Sequence, residues 1–234
     1  MSILVIEHQQ GEGAGRLGAT LLARGRKLEI CRIWNGDGLP TDLDGYEGVI
    51  SMGGRMNVCE VSEHGWMRRE MEILREAHEM ERPVIGICLG CQMLATALGG
   101  EVGLLDGGCE IGWQEMRMAF PGTVEAVYAG LGWKQMQFHW HSYEVKKLPA
   151  GGVPLAFSKR CKIQAFKVGV RSYGFQYHFE VLREQISEFS RVGAEERLAA
   201  GIDHGDLMSE TDRYYDDFAR IGDRLCELLV EDLF

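Results

Sequence analysis

No apolar run in the sequence is long enough to cross a membrane. The first one, residues 3–6, passes straight into Glu7 with neither a basic start nor a cleavage site around it, so a soluble, cytoplasmic protein is expected. Proline is scarce, and no Pro/Ser-rich or low-complexity tract divides the 234 residues. One domain over 1–234 is therefore expected, with residues from about 182 to 234 as a helical extension. Basic clusters are missing too, and the formal charge is −10, which argues against nucleic acid or an anionic membrane surface as a main partner. The seven cysteines are odd in number and scattered without framework spacing, the pattern of reduced thiols rather than of a disulfide scaffold.

What is present centres on Pro83-Val84-Ile85-Gly86-Ile87-Cys88-Leu89-Gly90-Cys91-Gln92. A short β-type run meets a small-residue corner, and a helix-forming stretch follows until Gly99-Gly100. Such a bend pushes one side chain out of the sheet, while the helix N-terminus aims unpaired N–H groups and partial positive charge at it. A thiol there should ionise more readily than a free one. The glycines of Gly86-x-Cys88-x-Gly90 fit a nucleophile elbow, where larger side chains would collide with the turn. A buried structural cysteine in an ordinary βα turn fits the same segment, and the segment alone does not separate the two. Cys88 and Cys91 also form a Cys-x-x-Cys, readable as a redox pair or half a zinc site, but no second Cys-x-x-Cys exists and the flanks are apolar.

Apolar runs at residues 3–6, 28–34 and 46–52 read as buried strands, and residues 18–24 and 66–81 as helices, the second with Met67, Met71, Leu74 and His78 on one side. Gly13-Ala14-Gly15-Arg16-Leu17-Gly18 satisfies Gly-x-Gly-x-x-Gly, yet Glu7 to Glu12 intervene where a dinucleotide site wants its first glycine directly after the strand, so a loop into a helix start is preferred. Gly53-Gly54 at a strand's carboxyl end can present a backbone N–H to a ligand. Residues 110–120, 123–128, 136–145, 153–157, 161–168 and 171–178 read as strands, with a hairpin turn at 167–170. The two histidines of His139-Trp140-His141 share a face, but no third ligand stands beside them in the sequence, so no metal is expected. His178 and Glu180 lie two apart, so an extended backbone sends both side chains the same way and lets the carboxylate orient the imidazole as base for a thiol. Residues 182–189 and 209–229 read as helices. The second carries a stripe of Tyr214, Phe218, Ile221, Leu225 and Leu228 behind a Ser209-x-x-Asp212 cap, a face for packing or for a homodimer. The fold class is α/β, an open, mostly parallel mixed sheet with helices on both faces.

With these pieces assembled, the chain resembles the class I, triad-type glutamine amidotransferases, and within them the stand-alone members related to the amidotransferase domain of GMP synthetase. The carriers are Gly53-Gly54, the Cys88 corner, Glu110-Ile111-Gly112-Trp113, His139-Trp140-His141 and Gly174-Phe175-Gln176-Tyr177-His178-Phe179-Glu180-Val181. The resemblance implies a flavodoxin-like amidotransferase fold, Cys88 as nucleophile, His178 as acid/base and Glu180 as its orienting group. It also implies an oxyanion hole from the N–H groups of Gly54 and Leu89, and substrate contacts from Gly53, Gln92, His141 and Ser142. No cofactor is implied. The substrate would be glutamine or another γ-glutamyl small molecule, and a separate synthetase subunit would be a possible ammonia acceptor. Three departures stand out: Arg55 where the family loop continues with proline, Phe179 where proline commonly separates the His and Glu, and Ser142-Tyr143 in place of Gly-Asp. Two other readings of the residues are a self-sufficient γ-glutamyl hydrolase and a thiol or redox protein using Cys88 and Cys91.

Overall fold

Alternation of short apolar runs with amphipathic stretches in the first hundred residues folds as successive strand and helix units. The computed structural model describes residues 1–234. In chain order they are β1 (Ser2–Glu7), α1 (Gly15–Ala23), β2 (Leu28–Arg32), β3 (Tyr46–Ser51), α2 (Trp66–Glu79), β4 (Val84–Ile87) and α3 (Leu89–Ala97). Strands then dominate: β5 (Glu101–Leu104), β6 (Glu110–Met118), β7 (Lys134–His141), β8 (Tyr143–Lys147), β9 (Val153–Ser158), β10 (Ala165–Val168) and β11 (Ser172–Phe175). Helices α4 (Arg183–Val192), α5 (Ala194–Ala199) and α6 (His204–Leu233) follow.

The main sheet has the order β2-β1-β3-β4-β11-β10-β9-β6-β7. Its first five strands run parallel, and every pairing from β11 to β7 is antiparallel. The mixed α/β sheet read from the sequence is thus present, with β4 and β11 adjacent at the junction of the two halves. Alternation along β1 divides the core, because successive side chains of a strand face opposite ways. Ile3 and Val5 pack with Leu17 and Leu21 of α1 and with Leu225 and Leu229 of α6. Leu4 and Ile6 face the other way, toward Met67, Ile73 and Leu74 of α2 and Met93 and Leu94 of α3. Each fully buried leucine contributes about 2–3 kcal/mol. A smaller cluster of Trp113, Phe138, Ile186, Phe189 and Phe218 joins α4 and α6 to the antiparallel half.

Several expectations need correction. Residues 123–128 form two 3₁₀ turns rather than a strand. The strand expected over 136–145 breaks at Ser142, and its second part, β8, leaves the main sheet to pair with β5, which the sequence reading missed. Only Ala165–Val168 of 161–168 is strand, and β11 stops at Phe175, short of His178. The last helix begins at His204 and not at Ser209. Its cap is Asp203, whose carboxylate accepts from the Gly205 N–H at 2.7 Å, while Asp212 lies within the helix and pairs with Arg183.

At the β4–α3 corner backbone packs directly on backbone. A Cβ on Gly90 would collide with the Ser51 carbonyl, and one on Gly86 would lie 2.5 Å from the Gly90 carbonyl oxygen. Gly90→Ala is therefore expected to cost at least ~1–3 kcal/mol, the range for overpacking a filled interior. Gly38→Ala, with open space around it, should be near neutral. Urea midpoints of the two variants test this; equal midpoints would show that the corner relaxes freely.

Candidate active site

Cys88 occupies the corner between β4 and α3 with φ 51° and ψ −106°, a positive φ found among non-glycine residues only here and at Glu81. A backbone of this kind costs about 1–3 kcal/mol and persists only when its surroundings over-determine it. Here the Cys88 N–H donates to Phe175 O at 2.8 Å and the Gly90 N–H to Met52 O at 3.1 Å. The thiol points to the Trp140 carbonyl, 3.6 Å from Sγ. Leu89 opens α3, so its N–H has no acceptor within the helix. A side chain on Gly54 would meet His8 Cβ at 2.9 Å and Leu89 Cδ2 at 3.1 Å, so glycine is what lets this loop close on the helix start.

His178 lies beyond the end of β11 and is held by an isolated bridge to β7, its N–H donating to Phe138 O at 2.9 Å. The alternation expected of a continuous strand is not what aligns His178 with Glu180, yet the two side chains do meet. His178 Nδ1 and Glu180 Oε1 are 2.8 Å apart, and both residues are buried. His178 Nε2 has no hydrogen-bond partner, so the thiol and imidazole are neighbours without a closed bond between them. Their proximity is visible at Gly53, where an added Cβ would lie 3.0 Å from His178 Cε1 and 3.6 Å from Cys88 Cβ. Burial pulls the His178 pKa down, but the Glu180 carboxylate and Cys88 more than reverse it and hold it well above its ordinary value. The glycine-rich segment before α1 clamps Glu180 from behind: the Arg16 N–H donates to Glu180 O at 2.8 Å, and a Cβ on Gly15 would strike the same oxygen.

Cys88 and His178 open into a cavity of about 270 Å³ that Gly54, Leu89, Gln92, His141 and Ser142 also line. Of the residues singled out from the sequence, Glu180 and Gly53 stand behind its wall. Gln92 Nε2 donates to Gln176 Oε1 at 3.3 Å and to Tyr143 O at 3.4 Å, leaving its Oε1 unpartnered. Arg55 pairs with Glu196 of α5 at 3.0 Å, and Glu196 also accepts from Trp140 Nε1 at 2.7 Å, which ties the rim together. Cys91 belongs to the core on the opposite face of the sheet from Cys88, and burial pushes its thiol pKa well up.

Two associations of buried polar side chains escaped the sequence reading, one around His8 behind the cavity and one around His141 in its wall. His8 Nδ1 donates to Gly53 O at 3.0 Å, its Nε2 meets Glu70 at 2.9 Å, and Ser51 Oγ donates to Glu70 at 2.6 Å. Glu70 falls between Met67 and Leu74 at apolar-stripe spacing, and that was its available signal. The second group supplies the third partner that His139 and His141 lacked: Glu110, which β6–β7 pairing sets directly opposite His141. His141 has an oxygen at each ring nitrogen, Tyr143 O at 2.9 Å from Nδ1 and Glu110 Oε2 at 3.1 Å from Nε2. Glu110 also accepts from Ser158 at 2.5 Å and Gln164 at 2.6 Å. These bonds already commit both Glu110 oxygens and both His141 nitrogens. Burial alone lowers the His139 pKa further than Glu110 raises it, to about 3, so that ring is neutral.

Burial opposes the Glu110 charge, but the His141 hydrogen bond, the electrostatic attraction of the His139 and His141 rings and the Ser158 hydrogen bond overcome it and bring the pKa to about 2 from the ordinary 4.5. A carboxylate depressed on folding adds stability that is complete above pH 4.5 and is lost as pH falls toward 2. Glu110→Gln is expected to cost about 2–3 kcal/mol at pH 7, with the gap to the parent narrowing between pH 4.5 and 3. Urea titrations across that window check it, and a pH-independent gap would show that the ion pair contributes nothing.

Comparison with known proteins places the chain in a family. The family model described as glutamine amidotransferase class-I matches residues 17–188. The glutamine-hydrolyzing GMP synthase subunit of Archaeoglobus fulgidus is 39% identical over 108 residues, which span 46% of this chain and 57% of that one. Gamma-glutamyl peptidase 3 of Arabidopsis thaliana is 27% identical over 180 residues, 73% of this chain and 69% of the relative. The crystal structure of a glutamine amidotransferase from Thermotoga maritima superposes with a TM-score of 0.87 at 25% identity, covering 99% and 98% of the two chains. With its family model spanning well over half of the sequence, the chain belongs to the class-I glutamine amidotransferases.

Proposed function

We propose that the protein hydrolyses the side-chain amide of glutamine or of another γ-glutamyl compound through a thioester on Cys88. The observation that carries the reading is the strained Cys88 corner beside an imidazole whose Nδ1 is fixed by Glu180 and whose Nε2 is left free. His178 Nε2 takes the thiol proton, and the thiolate adds to the amide carbon. The oxygen of the tetrahedral adduct turns to the N–H groups of Leu89 and Gly54, each donor contributing about 3–4 kcal/mol to the transition state. Collapse breaks the C–N bond as His178 gives its proton to the departing nitrogen. Water then adds to the thioester, His178 takes one of its protons, and the C–S bond breaks to release the acid. Gln92, His141 and Ser142 line the cavity where the rest of the substrate would lie, and Gly53 backs it.

Two destinations for the nitrogen divide this reading. In one, ammonia passes to a separate synthetase partner, as the likeness to the GMP synthase subunit suggests; in the other, the protein is a γ-glutamyl hydrolase complete in itself. Overall likeness does not separate them, since gamma-glutamyl peptidase 3 aligns over 73% of the chain and a glutamine-hydrolyzing GMP synthase over 68%. Placement of Cys91 in the opposite core weighs against a Cys88–Cys91 redox pair.

Incubation with glutamine and with a γ-glutamyl dipeptide, followed by intact-mass analysis, tests the chemistry. The parent is expected to cleave at least one of them and to carry a γ-glutamyl adduct on Cys88. Cys88→Ala should carry none and lose at least ~10³-fold in rate. Equal rates for parent and variant would overturn the mechanism. Dipeptide turnover without any added partner would select the self-sufficient hydrolase.

A further inference from the structure

One charged group of the cavity has no part in the steps above. Glu12, in the loop between β1 and α1, lines the same cavity as Cys88 and His178 and is 9% exposed. Its carboxylate is faced by the charges of His178, His8, Glu180 and Arg55 but hydrogen-bonds to none of them. Its position relative to Cys88 and His178 is visible at Gly53. The Cβ that Gly53 lacks would lie 2.8 Å from Glu12 Oε2, in the same place that is 3.0 Å from His178 Cε1 and 3.6 Å from Cys88 Cβ. The width of one glycine separates this carboxylate from the imidazole.

The direction of departure follows from the proposed acid/base role of His178. Because the imidazole protonates the leaving nitrogen, that nitrogen leaves on the His178 side, and water for the second half-reaction enters where it left. The geometry points to Glu12 as the group that receives the departing amine and then holds the hydrolytic water against the thioester. This deepens the proposed reading and rests on it. In the water step the carboxylate accepts one O–H as a hydrogen bond and gains no proton. The other proton moves to His178 Nε2 as the water oxygen bonds to the carbonyl carbon; the C–S bond then breaks, and the thiolate is left beside the imidazolium. A buried carboxylate without donors is costly, and a hydrogen-bonding ligand relieves that cost. Burial pushes the Glu12 pKa up to about 7, only partly offset by the two histidines.

Glu12→Gln keeps the shape and removes the charge. With γ-glutamyl-p-nitroanilide as probe, the initial release of nitroaniline reports acylation and the steady state reports hydrolysis. The variant is expected to keep its burst, to accumulate thioester on Cys88 by intact mass, and to turn over ~10- to 100-fold more slowly. Thermal unfolding separates this from a structural role. A carboxylate whose pKa rises on folding from 4.5 to about 7 loses the protein stability as pH rises through that window, so the variant should melt at the parent's temperature near pH 4.5 and above it at pH 8. Slower turnover in a more stable variant supports the assignment. Turnover within twofold of the parent with no thioester build-up overturns it, as does a loss of burst and of melting temperature together. A parent that forms no thioester and cleaves neither the probe nor glutamine overturns the Cys88 reading and this one with it.

Discussion

The positive-φ backbone of Cys88 is the constraint on which the site depends. It places the sulfur at the end of β4, where β11 lies alongside, and the Cys88 N–H to Phe175 O bond ties the two strands at the point where each one ends. Three residues beyond Phe175 comes His178. The parallel and antiparallel halves of the sheet therefore meet where the thiol and imidazole meet, and a shift in β4–β11 register would separate them. Compact packing holds the corner: Gly86 lies against the backbone of Gly90 and Cys91, Gly90 against Ser51. The strain of about 1–3 kcal/mol is small against the burial of the surrounding core, which is why it can be kept.

Around the cavity, polar side chains do what apolar packing alone would not: they fix loops at one orientation. His8 joins the Gly53 carbonyl to Glu70, so the loop that carries Gly53 and Gly54 is anchored to α2. Glu110 and His141 hold β6 to β7 beside the break at Ser142, where the chain turns into β8. Both groups lie inside the protein, where a fully partnered network is rigid and a broken one leaves an exposed cost on the remaining partner. His139 is the weak member, with both ring nitrogens unpartnered, and its low pKa keeps it uncharged there.

Much of this was legible in local sequence. The Cys88 corner and the His178/Glu180 pair carry their signal within a few residues, through glycine spacing and through side chains two apart. The strands of the parallel half announce themselves as short apolar runs because both their faces are buried. What failed was non-local. Glu110 meets His141 across a strand pair 31 residues apart, and His8 reaches Glu70 at a separation of 62. No spacing rule encodes such partners. Ser142 breaks a strand that the alternation alone continues, because β8 finds its partner in β5 instead of the main sheet. Residues 123–128 have the apolar content of a strand, but Val127 and Tyr128 are buried from 3₁₀ turns.

The segment Gly13 to Gly18 shows how a motif can be right in form and different in purpose. Its glycine pattern suits a phosphate cradle, yet the feature that makes glycine necessary at position 15 is the Glu180 carbonyl pressed against it. The Arg16 N–H bonds that same oxygen, and the Arg16 guanidinium reaches Val181 O and Asp223 of α6. This loop thus fixes the backbone of the residue that orients His178 Nδ1. A few residues earlier it sets Glu12 across Gly53 from His178, and earlier still it sets His8 under Gly53. One connection, between β1 and α1, therefore governs three sides of the imidazole environment without contributing to the Cys88–His178–Glu180 group itself. Its length follows from that work: a direct strand-to-helix turn, as a dinucleotide site requires, would leave no residues to reach Gly53, His178 and Glu180 in succession.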